Sequence, residues 1–191
     1  MTVEVIHQCN YEIKKDDIIC RAVVDPNHVN KKQQPKLALF AHSQLIQEED
    51  IKKLSVFILS IATIEQIQTY IVNEIESSGE ARVIGFLSSV CEEINKVRLF
   101  DLKTVDGEPE NIEKFGLTNE QLQSHCFNVV YCPDGDFISH AVIGYSVEAK
   151  QIIEDCASRG VEDIKDLIRS QLLYLFRKSG IIKLQELKFS T

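Results

Sequence analysis

The stretch LSVFILSIATIEQIQTYIVNEIESSGEARVIGFL, residues 54–87, decides the fold. It begins and ends with short apolar runs rich in β-branched side chains, which are typical of strands buried on both faces. Between these runs lies one helical stripe, formed by Ile64, Ile67, Ile71 and Ile75. The stretch therefore predicts strand, helix and strand. Since parallel neighbours need a crossover connection, it predicts a parallel βαβ unit.

Local signals mark the ends of these elements. Thr63 and Gln66 have the spacing of a capping box, in which each side chain accepts from the other residue's backbone N–H. After the second strand, Ser88 or Ser89 is predicted to cap another helix, which extends to residue 97. A rival interpretation makes residues 44–97 one long helical region.

The chain before this stretch predicts further strands. Residues 16–25 are rich in β-branched side chains and are closed by Pro26, so we expect a strand there. Residues 36–42 are short and apolar, as in a buried strand, and Ser43 is expected to begin a helix. The alternating residues 2–13 are also consistent with a strand.

Residues 101–123 are polar and contain two glycines and a proline. Thr118 and Gln121 repeat the capping-box spacing, so we expect a loop that carries one short helix. The prediction is a single domain over residues 1–191, with any sub-boundary in the stretch 101–123. A long insertion of this kind also fits a binding loop.

The last third predicts a hairpin, two helices and a strand. Asp134 and Gly135 favour a type I′ turn inside a hairpin over residues 125–145. That turn places Cys132 opposite Phe137, and Val129 opposite His140. Ser146 is expected to cap the first helix. The elements that follow are expected at about 147–158, 161–179 and 181–189. The fold class is therefore α/β or α+β, with a mixed sheet, a βαβ section and a C-terminal hairpin–helix–helix–strand unit.

Composition restricts the classes of partner. The net charge of −8 disfavours nucleic acid, because duplex binding draws affinity from Lys and Arg that neutralise phosphates. No secretory signal pattern and no apolar run of about 20 residues occurs, so no membrane partner is expected. The expected location is the cytoplasm or the nucleus. The six cysteines are then thiols rather than a disulfide framework.

The hairpin holds cysteines and histidines that could form a thiol enzyme or a zinc site. The predicted register places Cys126 and Cys132 on the face away from His125 and His140, which excludes a Cys–His dyad. The two cysteines share a face but lie about 20 Å apart along the strand. Zinc ligands must all lie within about 2.3 Å of one ion, so no zinc is expected.

Pro133-Asp134 and Glu148-Ala149-Lys150 resemble the signature of the PD-(D/E)xK nuclease superfamily. The resemblance implies a divalent metal held by Asp134 and Glu148, a Lys150 that supports the attacking water, and Glu92 or Glu93 as the helical acid. The predicted hairpin works against it, because it separates the Asp134 and Glu148 carboxylates by about 35–40 Å. A first-turn carboxylate behind the Ser146 cap is a simpler explanation of Glu148.

No phosphate-binding glycine loop and no serine or metalloprotease motif is present. We therefore expect a non-enzymatic protein-interaction module, such as a regulatory subunit, assembly factor or adaptor. Its expected partner is another protein, without a cofactor, and a homo-oligomer stays open. The alternative is the metal-dependent nuclease, with Asp134, Glu148 and Lys150 as its catalytic residues and a divalent metal as its cofactor.

Overall fold

The structure is a computed structural model that describes residues 11–25, 31, 34–35, 39, 54–75, 82–104, 106–133, 137–178 and 181–183. Within them, six strands form one sheet. The strands are β1 Ile18–Asp25, β2 Leu54–Ile58, β3 Arg82–Val90, β4 Phe127–Tyr131, β5 His140–Tyr145 and β6 Ile181–Lys183. The α-helices are α1 Ile64–Ile75, α2 Cys91–Asn95, α3 Asn119–Leu122, α4 Val147–Ser158 and α5 Asp163–Lys178. Short 3₁₀ turns occupy Leu99–Asp101 and Glu113–Phe115.

The sheet order is β4–β5–β2–β1–β3–β6, and each neighbouring pair is antiparallel. The predicted combination of a sheet with helices is confirmed, as is the hairpin–helix–helix–strand order at the C-terminal end. The predicted parallel pairing is wrong. β2 and β3 do run in the same direction with α1 between them in sequence, but β1 lies between them in the sheet. The two described strands also rule out one continuous helix over residues 44–97.

Helices cover both faces of the sheet. The larger core lies on one face, where α4 and α5 contribute residues such as Ile152, Ile168 and Phe176. On the opposite face, Ile67 and Ile71 of α1 pack against Phe57 and Phe86. Two helices over one face were expected from the sequence, and the smaller second core follows from the isoleucine stripe of α1.

The two capping boxes predicted from the sequence are confirmed. Thr63 and Gln66 exchange the two hydrogen bonds of a capping box at 2.9 and 3.3 Å. Thr118 and Gln121 do the same at the start of α3. The expected cap at Ser88 or Ser89 is wrong, because β3 continues through both serines. Helix α2 begins after Val90 without a side-chain cap.

The hairpin register differs from the predicted one by three residues. Val129 lies opposite Ile143 rather than His140, and Tyr131 lies opposite Ala141. A shift by an odd number exchanges the faces of β5 relative to β4. The observed register places the buried side chains of Ala141, Ile143 and Tyr145 on the core face. The predicted register would have placed His140 there, so burial of apolar area favours the observed one.

The polar stretch 101–123 packs on the larger core. Leu102 and Phe115 are buried in that core. The backbone N–H of Lys103 donates to Gln171 Oε1 at 2.8 Å, and Arg159 donates to the Phe115 carbonyl at 3.0 Å. These bonds attach the stretch to α4 and α5. None of the helices among the described residues is long and apolar enough to cross a bilayer.

Several predictions fall on residues that the structure does not describe. They concern the strand over residues 2–13 before Tyr11, most of the strand at 36–42, the helix after Ser43, the Asp134-Gly135 turn and the last strand beyond Lys183. They remain predictions.

Candidate functional site

A groove lies beside β4. We call it the edge groove. Tyr11, Glu12 and Ile13 line one side, and the β4 residues Val129, Val130 and Tyr131 line the other. Its volume is about 630 Å³. The groove is shallow and open to solvent rather than enclosed, and its lining is mainly apolar and aromatic.

The hydrogen-bond pattern of the hairpin shows which backbone groups of β4 face this edge. Cys132 N–H donates to the His140 carbonyl at 3.3 Å, and Ser146 N–H donates to the Cys126 carbonyl at 3.0 Å. In an antiparallel pair, hydrogen-bonded residues alternate with residues whose N–H and C=O point away. The backbone groups of Asn128, Val130 and Cys132 therefore face β5, as does the Cys126 carbonyl, whereas the Cys126 N–H donates to the Val97 carbonyl at 2.9 Å. The backbone groups of Val129 therefore point away from β5, toward the outer side of β4, which is the end strand of the sheet among the described residues.

Asn95 contacts this edge from α2. Its Oδ1 accepts from the Val129 N–H at 3.3 Å, and its Nδ2 donates to the buried Cys91 Sγ at 3.4 Å. The first bond is longer than the usual 2.9–3.0 Å for an N–H···O hydrogen bond. The Asn95 side chain thus accepts the hydrogen bond of one outward-facing backbone donor, the Val129 N–H. An acceptor that approached to the usual distance would form a stronger hydrogen bond with this donor.

A buried carboxylate fixes the opposite side of the edge groove. Asp17 accepts from Ser60 Oγ at 2.5 Å and from the Lys14 N–H at 2.7 Å. The Tyr11 hydroxyl lies 2.8 Å from both carboxylate oxygens. Burial alone would raise the pKa of Asp17, but these hydrogen bonds outweigh burial and the net shift lowers it. The carboxylate therefore stays ionised and ties Tyr11 to the end of β2.

The two tyrosines of the edge groove are in contact. The ring centroids of Tyr11 and Tyr131 lie 5.7 Å apart, with 57° between the ring planes. This geometry is within the range of favourable tilted aromatic pairs. Burial is the main cause that raises the pKa of Tyr11, so its hydroxyl stays protonated and can donate to Asp17. The ring pair and the carboxylate together hold the segment 11–13 against β4.

Cys132 follows the edge-groove residue Tyr131 in the chain, and the corrected register puts Cys132 and His140 on the same face of the sheet. The expected separation of the two is wrong, so faces alone do not exclude a dyad. The ring Nδ1 of His140 instead lies 2.5 Å from the Cys132 backbone oxygen. A carbonyl can only accept, so Nδ1 carries the proton. Among the described residues, no hydrogen bond joins the His140 ring to the Cys132 thiol.

Glu148 and Lys150 lie in the first turns of α4. Ser146 caps this helix as expected, with Ala149 N–H donating to its Oγ at 2.9 Å. Residues two apart on a helix point in different directions, so Glu148 and Lys150 do not converge. Asp134 lies outside the described residues, and the nuclease stays a prediction without added support.

The acids Glu92 and Glu93 make ion pairs with Lys96 and Lys178 at 2.5 and 3.9 Å. Within the described ranges, no group of three His, Cys, Asp or Glu side chains is arranged to hold a metal.

No known family model, curated protein or solved structure matches this chain. The edge groove itself is therefore the basis on which a function is proposed below. Sequence reasoning missed this site because Tyr11 and Tyr131 are far apart in the chain. The available signal was weak: FNVVY has high strand propensity, with neither Lys nor Pro inside it.

Proposed function

We propose that this protein is an interaction module that binds an extended segment of a partner protein along β4. The observation that carries the proposal is the outward direction of the Val129 backbone groups beside the edge groove, on the strand that ends the described sheet. An extended peptide can add to such an edge, with its own N–H and C=O groups continuing the sheet. This mode of binding fits a regulatory subunit, assembly factor or adaptor.

The composition of β4 supports this use of the edge. Sheet edges in natural proteins are commonly protected by Lys, Pro or a bulge. β4 contains none of these, and it pairs with β5 without a register shift. Its Val130 side chain is 43% exposed. An exposed apolar side chain on an edge strand can contact a strand that is added next to it.

The experiment selects phage-displayed 12-residue peptides against the protein and measures binding of the selected peptides by calorimetry. The test variant is Val130→Lys, because an edge lysine opposes strand addition. The matched control is Val147→Lys, the same change at a valine that is 76% exposed at the start of α4. We expect Val130→Lys to weaken binding by about tenfold or more and Val147→Lys to leave it unchanged.

Amide NMR locates the bound peptide. The shift changes are expected at residues 127–131 and at 11–13. The proposal is overturned if no peptide is enriched. It is also overturned if the two lysine variants bind equally well while the shift changes map elsewhere.

A third variant tests the direction of the backbone contact. In Asn95→Ala the Val129 N–H loses its side-chain acceptor and becomes available to the peptide. We expect binding that is tighter by about two- to fivefold, since one hydrogen bond no longer has to be exchanged. Weaker binding, in a variant with an unchanged melting temperature, would contradict a role for the Val129 N–H.

A further inference from the structure

Ser60 connects the protein surface to the carboxylate that fixes one side of the edge groove. It is exposed and lies in the turn over residues 59–61, between β2 and α1. Its hydroxyl donates to Asp17 Oδ1 at 2.5 Å, and Asp17 is 4% exposed. The same carboxylate accepts from the Tyr11 hydroxyl, and the Tyr11 ring contacts Tyr131. A chemical change at Ser60 is therefore transmitted to a wall of the edge groove through one carboxylate.

This contact distinguishes Ser60 from another exposed serine, Ser158 at the end of α4. The Ser158 hydroxyl donates to the backbone carbonyl of Asp155 within the same helix. Exposed turns and element ends are accessible to modifying enzymes, because the chain opens locally there at low cost. Modification of Ser158 would change one helix end, whereas modification of Ser60 would change the charge beside a buried carboxylate.

We propose that Ser60 is a phosphorylation site, and that a phosphoryl group there withdraws Tyr11 from the edge groove and weakens binding of the partner segment. This inference rests on the proposed strand addition and states how it is regulated. A protein kinase would transfer the γ-phosphoryl group of a nucleoside triphosphate to Ser60 Oγ. The new Oγ–P bond replaces the bond to the β-phosphate oxygen, the nucleoside diphosphate leaves, and the hydroxyl proton passes to a base of the kinase.

A phosphoryl group at Ser60 removes a hydrogen bond and adds like charge. The ester oxygen carries no proton, so Asp17 loses the donor that lies 2.5 Å from it. The group also places about −1.5 to −2 charges beside this carboxylate at pH 7. Lys14 is a nearby cation that favours the ionised Asp17, but its side chain is exposed, and exposed ion pairs contribute little. Repulsion therefore prevails, and we expect Asp17 to move away and Tyr11 to lose its acceptor.

The experiment installs phosphoserine at residue 60 or, as the matched control, at residue 158 during translation. Binding of one selected peptide is then measured by calorimetry. We expect phosphoserine at 60 to weaken binding by about tenfold or more, and phosphoserine at 158 to leave it unchanged. Ser60→Ala removes the donor without adding charge and should weaken binding by only about two- to threefold. Equal binding by the two phosphorylated proteins overturns the proposal.

A second measurement needs no peptide. NMR cross-peaks between the Tyr11 and Tyr131 rings, whose centroids lie 5.7 Å apart, should be present in the unmodified protein and in the Ser158 control. They should be lost with phosphoserine at Ser60 and should return after treatment with alkaline phosphatase. Return of the cross-peaks distinguishes a local switch from unfolding of the protein. Cross-peaks that persist in the phosphorylated protein, or that do not return, contradict the switch.

Phosphopeptide mapping of the protein from its own cells, lysed with phosphatase inhibitors, tests the modification itself. We expect phosphate on Ser60, and its absence there would mean that the site is not used. The two proposals fail in different ways. If phosphate at Ser60 changes neither the ring contact nor binding while Val130→Lys still weakens binding, strand addition stands and the switch is overturned. If Val130→Lys has no effect on any peptide, the proposed function fails, whatever the ring contact does.

Discussion

Cys132 lies directly opposite His140, and the His140 ring bonds to the Cys132 backbone oxygen rather than to its thiol. The ring also contacts Phe57 edge-on, with centroids 5.8 Å apart. These contacts hold the imidazole at the end of the hairpin without using the sulfur. The Cys132 N–H still donates to the His140 carbonyl at 3.3 Å, but the His140 N–H donates to the Phe137 carbonyl at 3.5 Å. The ring nitrogen therefore replaces the second backbone donor of this pair.

The register can be tested by engineered disulfides. A hydrogen-bonded antiparallel pair has a Cα separation of about 5.5 Å, which a disulfide can span. We expect His140→Cys to form a disulfide with Cys132 under mild oxidation. Phe137→Cys, which matches the register predicted from the turn, is the control and should not. Mass spectrometry of non-reduced peptides identifies the bridge, and bridging in the control alone would mean that the described register is wrong.

The cysteines should differ strongly in reactivity. Cys132 is exposed, whereas Cys20, Cys91, Cys126 and Cys156 are buried. Burial raises the pKa of Cys20 to about 12 and raises that of Cys126 as well, so both remain as unreactive thiols. A short pulse of iodoacetamide followed by peptide mapping should label Cys132 at least about tenfold faster than these four. Labelling of Cys126 at the rate of Cys132 would contradict the burial described above.

Asp17→Asn should destabilise the protein in a pH-dependent way. The loss at pH 7 should be about 1–3 kcal/mol, because a buried ionised acceptor with three donors becomes a neutral amide. The folded-state pKa of Asp17 lies below its ordinary value. Its stabilising contribution is therefore complete above the unfolded-state pKa of about 3.9 and is lost as the pH falls below it, through the folded-state pKa.

Urea unfolding of the wild type and Asp17→Asn at pH 7, 5 and 3 checks this expectation. The difference in the free energy of unfolding should be equal at pH 7 and 5 and smaller at pH 3. Asp16→Asn changes the exposed neighbour and should have little effect at pH 7. A difference for Asp17→Asn that grows as the pH falls would mean that the sign is wrong.

Substitution of two glycines by alanine distinguishes the free-energy cost of a steric clash from the cost of a left-handed backbone. Gly107 has φ of +89°, and an added Cβ would lie 2.7 Å from the Tyr174 ring. Gly160, at the end of α4, has φ of +76° and open space around the added atom. We expect Gly160→Ala to cost about 1 kcal/mol for the left-handed backbone, and Gly107→Ala to cost about 1–3 kcal/mol more for the clash. Thermal and urea unfolding measure both, and equal losses would mean that Tyr174 moves aside freely.

The features that are best predicted from the sequence are those that depend on residues close together in the chain. The capping pairs at Thr63, Thr118 and Ser146 are confirmed because each donor and acceptor lie three residues apart. The hairpin register is set by distant contacts. Phe57 of β2 pairs with His140, and Leu54 pairs with Ile143. This pairing sets the register of β5 independently of the conformation that the turn residues prefer. The position of β1 between β2 and β3 has no local signal at all.

The edge groove could not be predicted for the same reason. Its two walls come from residues 11–13 and from β4, which are more than a hundred residues apart in the chain. What joins them is the hydrogen bond of Tyr11 to Asp17 and the ring contact with Tyr131. Neither the charges nor the hydrophobic pattern of one segment indicates that the other segment packs against it.

The central place of β1 affects how the chain can be synthesised. Among the described strands β1 leaves the ribosome first, and both strands that flank it in the sheet, β2 and β3, come later. Until β3 has emerged, β1 keeps at least one long edge open, and an apolar strand with an open edge is prone to pair with other chains. Nascent chains that stop after α1 should therefore aggregate or remain bound to chaperones, and release should require the whole of residues 82–90.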